Sequence, residues 1–203
     1  MDVHEVVPLS KAEMESICST IKNCFDEIRD KYDQRKYPPA LLEDYRRVFS
    51  SLAEEASVKA ALEWKWGYYG KNNYPEKQKA LIQRIQDLWE EYSIAARKAP
   101  QEPEDTFNFW KSKLSPANTR FISYSFITHL IHPDEVPIID RFNFTAANSF
   151  VKMVRPKYEF KKKPSTWDDI KFLKVFSDLI GKKLGESPTD LDRFLMMYGK
   201  YRV

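Results

Sequence analysis

Glycine is almost missing from this sequence, with five in 203 residues, at positions 67, 70, 181, 185 and 199. A backbone takes positive φ, or comes close to a ligand, most readily where there is no Cβ. Dinucleotide and phosphate loops depend on that freedom, and so do the tight turns of strand-rich folds. No Gly-x-Gly pair occurs in the chain, which excludes Rossmann and P-loop readings. Apolar residues recur instead at spacings of three and four, and no segment sustains the period-two alternation of a half-buried strand. The expected fold is all-α, a two-lobed helical domain over residues 1–203 with eight to ten helices.

Start and stop signals place those helices. Ser10 with Glu13 three residues on forms a capping box. An apolar stripe then runs through Met14, Ile17, Cys18, Ile21, Phe25, Ile28 and Tyr32. After Pro38-Pro39 a second pattern runs from Ala40 towards Trp66, with a break near Ser57, and a third helix opens at Pro75. The proline-containing acidic stretch 98–105 is the expected joint between lobes 1–100 and 106–203. A short helix is expected over Phe107–Leu114, and Ser115-Pro116 starts the next. That helix stops at His132-Pro133, because a residue before proline avoids helical angles. Asp140 opens another helix behind the apolar run Val136-Pro137-Ile138-Ile139. Ser165 with Asp168, and Ser187 with Asp190, are the expected caps of the last two helices.

Composition narrows the function classes. Hydrophobic residues make up 42% and charged residues 31%, as in a globular chain with a well-solvated surface. Cys18 and Cys24 lie six residues apart, about 240° around a helix, so they neither pair nor form a metal knuckle. Three histidines and no cysteine cluster argue against zinc, so no metal and no cofactor is expected. No apolar run nears the roughly 20 residues of a membrane span, and a reducing, cytoplasmic setting without membrane contact is the expectation.

Net charge is +3, unevenly spread: residues 151–203 hold 13 Lys/Arg against 7 Asp/Glu. The excess concentrates in Lys152, Arg155, Lys157, Lys161, Lys162 and Lys163, with Tyr158 and Phe160 between them. Such a loop either tracks a phosphate backbone and stacks on bases or is simply a solvated surface. The densest aromatic stretch, with Trp64, Trp66, Tyr68 and Tyr69, either lines a pocket or fills the gap between lobes.

One segment carries a family resemblance. A short helix, the turn Ser115-Pro116-Ala117-Asn118, a second helix, and then Ile138-Ile139-Asp140-Arg141-Phe142 together resemble the helix-hairpin-helix DNA glycosylases of base-excision repair. The segment 191–200, Leu-Asp-Arg-Phe-Leu-Met-Met-Tyr-Gly-Lys, is similar to the closing helix of such proteins. The resemblance implies that Asp140 stabilises the oxocarbenium-like sugar or orients the attacking water. It implies an extruded base in an aromatic pocket (Trp64, Trp66, Tyr68, Tyr69). DNA would be held by the hairpin residues Asn118, Thr119 and Arg120, by Arg141, and by Arg155, Lys157 and Lys161–Lys163.

The sequence departs from that family's pattern in three places. The hairpin turn has no glycine, its start of the second helix reads Arg120-Phe121-Ile122-Ser123 without a lysine, and there is no four-cysteine cluster. Lyase chemistry through a Schiff base and an iron–sulfur module are therefore not expected. Aspartate is also a favoured N-cap, and capping is compatible with catalysis. Two alternatives stand beside the glycosylase-like reading. One is a non-catalytic helical module for DNA or protein binding, and the other is a helical protein that binds a small ligand.

Overall fold

The computed structural model describes residues 9–53, 57–71, 73, 75–114 and 120–203. Among them lie ten α-helices and no strand. In chain order the helices are α1 (Lys11–Lys22), α2 (Phe25–Arg29), α3 (Pro39–Ser50), α4 (Val58–Lys65) and α5 (Glu76–Lys98). They continue with α6 (Pro103–Leu114), α7 (Phe121–Ile131), α8 (Arg141–Val154), α9 (Trp167–Leu184) and α10 (Pro188–Tyr201). The all-α expectation holds.

The chain divides into two compact units. Unit 1 comprises Met1–Tyr32 with Pro137–Val203, and unit 2 is Asp33–Val136. The stretch 98–105, expected as the joint between lobes, lies inside unit 2. There it separates α5 from α6, and α6 begins at Pro103 rather than Phe107, with Glu104 and Asp105 in its first turn. Proline at a helix start gives up a donor that the helix cannot use, and acids there face the positive end of the dipole. The end of a stretch that resembles a linker in composition, residues 103–105, is therefore a helix N-terminus.

Unit 1 is built on α8 and α10. Phe25 stacks on Phe194 with ring centroids 5.1 Å apart, and Phe150 meets Tyr198 at 4.6 Å. The expected single stripe from Met14 to Tyr32 is broken between Lys22 and Phe25, yet Ile17, Cys18, Ile21, Phe25 and Ile28 are all buried. Gly199 lets α10 touch the first turn of α8, since a Cβ there would overlap the Phe142 carbonyl. The cap of α9 is Thr166 with Asp169, one residue beyond the expected pair. Asp169 is fully buried and accepts from the Ser165 and Thr166 amides at 2.6 and 2.9 Å, whereas Asp168 is exposed.

Unit 2 surrounds α7, whose residues from Ser123 to Ile131 are buried on every side. A helix apolar all round belongs at a centre, not at a surface. Trp89, Tyr92 and Trp110 form one aromatic cluster with Phe109 between α5 and α6. His129 fixes the end of the unit, and its two ring nitrogens have distinct roles. Nδ1–H donates to the Val136 carbonyl at 2.6 Å, while Nε2 accepts from Arg46 Nε at 3.0 Å.

Candidate functional site

Asp140 is half-buried at the start of α8, in unit 1. Its Oδ1 accepts the amides of Phe142 and Asn143 at 2.7 and 3.0 Å. Asn143 completes the capping box by accepting the Asp140 amide on its own Oδ1 at 2.9 Å. Those two helix amides are thus already taken by a carboxylate, so the first turn of α8 is fixed before any ligand arrives.

Sequence reasoning missed Asn143 and Asp192. Asn143 is 1% exposed, and its Nδ2 donates to the Ile138 carbonyl at 2.8 Å and to Asp192 Oδ1 at 2.9 Å. One buried amide therefore ties the loop before Asp140, the backbone of Asp140 and a second half-buried carboxylate on α10. The three-residue spacing from Asp140 to Asn143 is a legible capping-box signal, although asparagine is shorter than the usual Glu or Gln. No local signal points to Asp192, which is joined only by the crossing of α8 and α10.

The basic loop is laid along α8. Arg141, Thr145, Asn148 and Lys152 recur at spacings of four, three and four, so they share one face of the helix. The chain leaves α8 at Arg155 and returns along this face. Lys152 Nζ donates to the carbonyls of Pro156 and Tyr158 at 2.6 and 2.7 Å. The Tyr158 hydroxyl donates to Asn148 Oδ1 at 2.9 Å, and Thr145 Oγ1 donates to the Lys162 carbonyl at 2.8 Å.

That strap sorts the expected nucleic-acid residues into two groups. Arg155 pairs with Glu13 through Nε and Nη2 at 2.6 and 2.7 Å, and this guanidinium holds the Glu13 carboxyl down at about 2. Lys161 donates to both oxygens of buried Asp169 at 2.9 and 2.6 Å. Both cations are internal fastenings of unit 1. Lys157, Lys162 and Lys163 are exposed. Arg141 is exposed too, with its guanidinium 4.8 Å from the centre of the Phe142 ring.

The other expected site residues belong elsewhere. Asn118 and Thr119, with the rest of the hairpin turn 115–119, lie outside the described residues. Arg120 is half-buried in unit 2, where it precedes α7 and donates to the Leu114 carbonyl at 3.4 Å. Trp64 is a core residue of unit 2 rather than a pocket wall. It is 3% exposed, donates from Nε1 to the Pro38 carbonyl at 3.0 Å, and stacks on Phe126 at 5.9 Å. Trp66 and Tyr68 are half-buried and Tyr69 is 46% exposed, so the run points in several directions.

Among the described residues no group of three or more His, Cys, Asp or Glu could hold a metal ion, and no helix is long and apolar enough to cross a membrane. Comparison with models of known protein families, with curated proteins and with solved structures gives no match.

Proposed function

We propose that the chain binds nucleic acid through the exposed cations along α8 and acts on it as a DNA-glycosylase-like hydrolase, with Asp140 as its carboxylate. The observation that supports this reading is a row in unit 1. The strapped loop carries Lys157, Lys162 and Lys163 along the helix face that leads to Arg141, with Asp140 at its end. Cations in a row suit a phosphate backbone, and a fixed carboxylate beside them suits the positive charge that grows on a sugar as its bond to the base breaks. In that reaction water forms the new bond to the sugar C1′, the C1′–N bond breaks, and the proton lost by water goes to the departing base. No lysine stands at the start of α7 to form a Schiff base, so the reaction ends at hydrolysis.

A second reading has its own observation. The capping box already accounts for Asp140, with its carboxylate engaged by two amides. In that reading the chain is a non-catalytic nucleic-acid-binding module.

Asp140→Asn separates the two. Asparagine caps about as well as aspartate, so the helix keeps its start and only the charge is lost. Base release is measured on a panel of duplexes carrying damaged bases, alongside thermal stability. Release by the native chain that collapses in the variant, at unchanged stability, supports the hydrolase. Binding without release from any substrate in the panel leaves the binding module.

A further inference from the structure

We infer that the strap 155–163 is a rail for phosphates alone, contacting a nucleic-acid backbone through Lys157, Lys162 and Lys163 and making no stack on its bases. This deepens the proposed function and rests on its nucleic-acid half. The sequence offers two uses for the loop, charge and stacking, and the structure ties Tyr158 inward and leaves Phe160 partly covered. Tyr158 is half-buried, with its hydroxyl fixed to Asn148, itself fully buried under the strap. Phe160 is half-buried as well. A base needs an open ring face to stack upon, and both rings of the strap are partly covered, that of Tyr158 tethered through its hydroxyl as well.

The charges divide the other way. Lys152, Arg155 and Lys161 are consumed in holding the strap, through two carbonyls, Glu13 and Asp169. The remaining three lysines are exposed and form no ion pair among the described residues. Their spacing follows from the anchors. The strap is pinned at Lys152 and at Thr145, seven residues of helix apart, or about 10 Å at 1.5 Å per residue. One strand of nucleic acid carries a charge about every 3.4 Å along its axis, so the rail spans roughly three phosphates. The two amides at the start of α8 are capped by Asp140, so phosphate contact on this face falls to exposed side chains rather than to helix amides.

The test is fluorescence anisotropy with the full chain and two labelled strands of equal length, one of thymidines and one whose bases are replaced by abasic tetrahydrofuran residues. The rail predicts affinities that agree within about twofold, because a single stacked base alone would contribute about tenfold. Replacing all three lysines (Lys157→Gln, Lys162→Gln and Lys163→Gln) should lower the slope of log affinity against log salt by about 2, at roughly 0.7 per phosphate contact. Phe160→Leu should leave affinity unchanged, and a circular dichroism melt establishes that each variant is folded.

Tighter binding of the thymidine strand by tenfold or more, or its loss in Phe160→Leu, overturns the rail while leaving nucleic-acid binding intact. An unchanged slope in the triple variant overturns it too. Polyglutamate that competes as well as either strand replaces the nucleic acid with any polyanion. Absence of salt-dependent binding to either strand removes both the rail and the reading beneath it.

Discussion

Asn143 Nδ2 donates to Asp192 Oδ1 at 2.9 Å, a bond that joins the first turn of α8 to α10 across 49 residues of sequence. The same amide group returns to the Ile138 carbonyl, and its oxygen takes the Asp140 amide. Asn143→Ala would remove a hydrogen-bond partner from the Ile138 carbonyl, from the Asp140 amide and from Asp192, all three in partly buried surroundings. A loss of about 1–3 kcal/mol is expected, the cost of leaving a buried polar group unsatisfied. Urea denaturation of the variant reads it. A loss below about 0.5 kcal/mol would show that water replaces the side chain without cost.

The two helical glycines of unit 1 should respond to alanine with opposite signs. Alanine is favoured over glycine inside a helix by about 1 kcal/mol. At Gly181 the added Cβ meets the end of the Leu191 side chain at 3.4 Å, which can shift, so Gly181→Ala is expected to be neutral or stabilising. At Gly199 the obstacle is the Phe142 backbone, which cannot move without separating α8 from α10. Gly199→Ala should therefore lower the melting temperature despite the gain in propensity, and a rise would refute the close approach.

Much of this was legible in the sequence and some was not, for reasons that differ by residue. Caps are local: Ser10 with Glu13, Asp140 and Ser187 all sit where residue type and spacing put them. The cap of α9 fell one residue later because Asp169, not Asp168, collects the strap's lysine and two amides, a choice made by tertiary contacts. The basic loop was visible as charge, but which charges are fastenings depends on Glu13, 142 residues from Arg155. Trp64 shows the same limit, since an aromatic run reveals density and not which ring faces the core.

The strap makes two neighbouring lysines unequal. Lys161 pairs with a carboxylate that has no solvent exposure, so Lys161→Ala removes an ion-pair partner from buried Asp169. Breaking such a pair costs about 3–5 kcal/mol. Lys162→Ala, next in sequence but exposed, should stay within about 0.5 kcal/mol of the parent. Denaturant midpoints of the two variants settle the contrast, and equal midpoints would mean that the strap holds without its ion pair.

Acid should act first through unit 2. Burial pushes His129 down to about 3 from its ordinary 6.5, with Arg46 adding repulsion, and burial lowers His132 as well. A histidine with a folded pKa below its unfolded one takes up its proton on unfolding. Its contribution is complete above about 6.5 and is lost progressively as pH falls towards 3. Glu13 contributes in the same direction but later, from its ordinary 4.5 down to about 2. Denaturation free energy measured between neutrality and pH 4.5 should therefore already decline. His129→Gln can keep both hydrogen bonds without the titration, and should flatten that decline. An identical pH profile in the variant would place the titrating group elsewhere.

Unit 1 is made from the two ends of the chain, with the whole of unit 2 inserted between them. The consequence is one of timing. As the chain leaves the ribosome, α1 and α2 emerge with Ile17, Ile21, Phe25 and Ile28 ready for burial and no partner yet synthesised. Unit 2 takes about 5–20 s to be made at ordinary elongation rates, and all of its own contacts are available by Val136. The N-terminal helices must wait through that interval for α8, α9 and α10. The Asp140 corner, tied to Asp192 of α10, and the strap therefore form after unit 2 has all of its own residues.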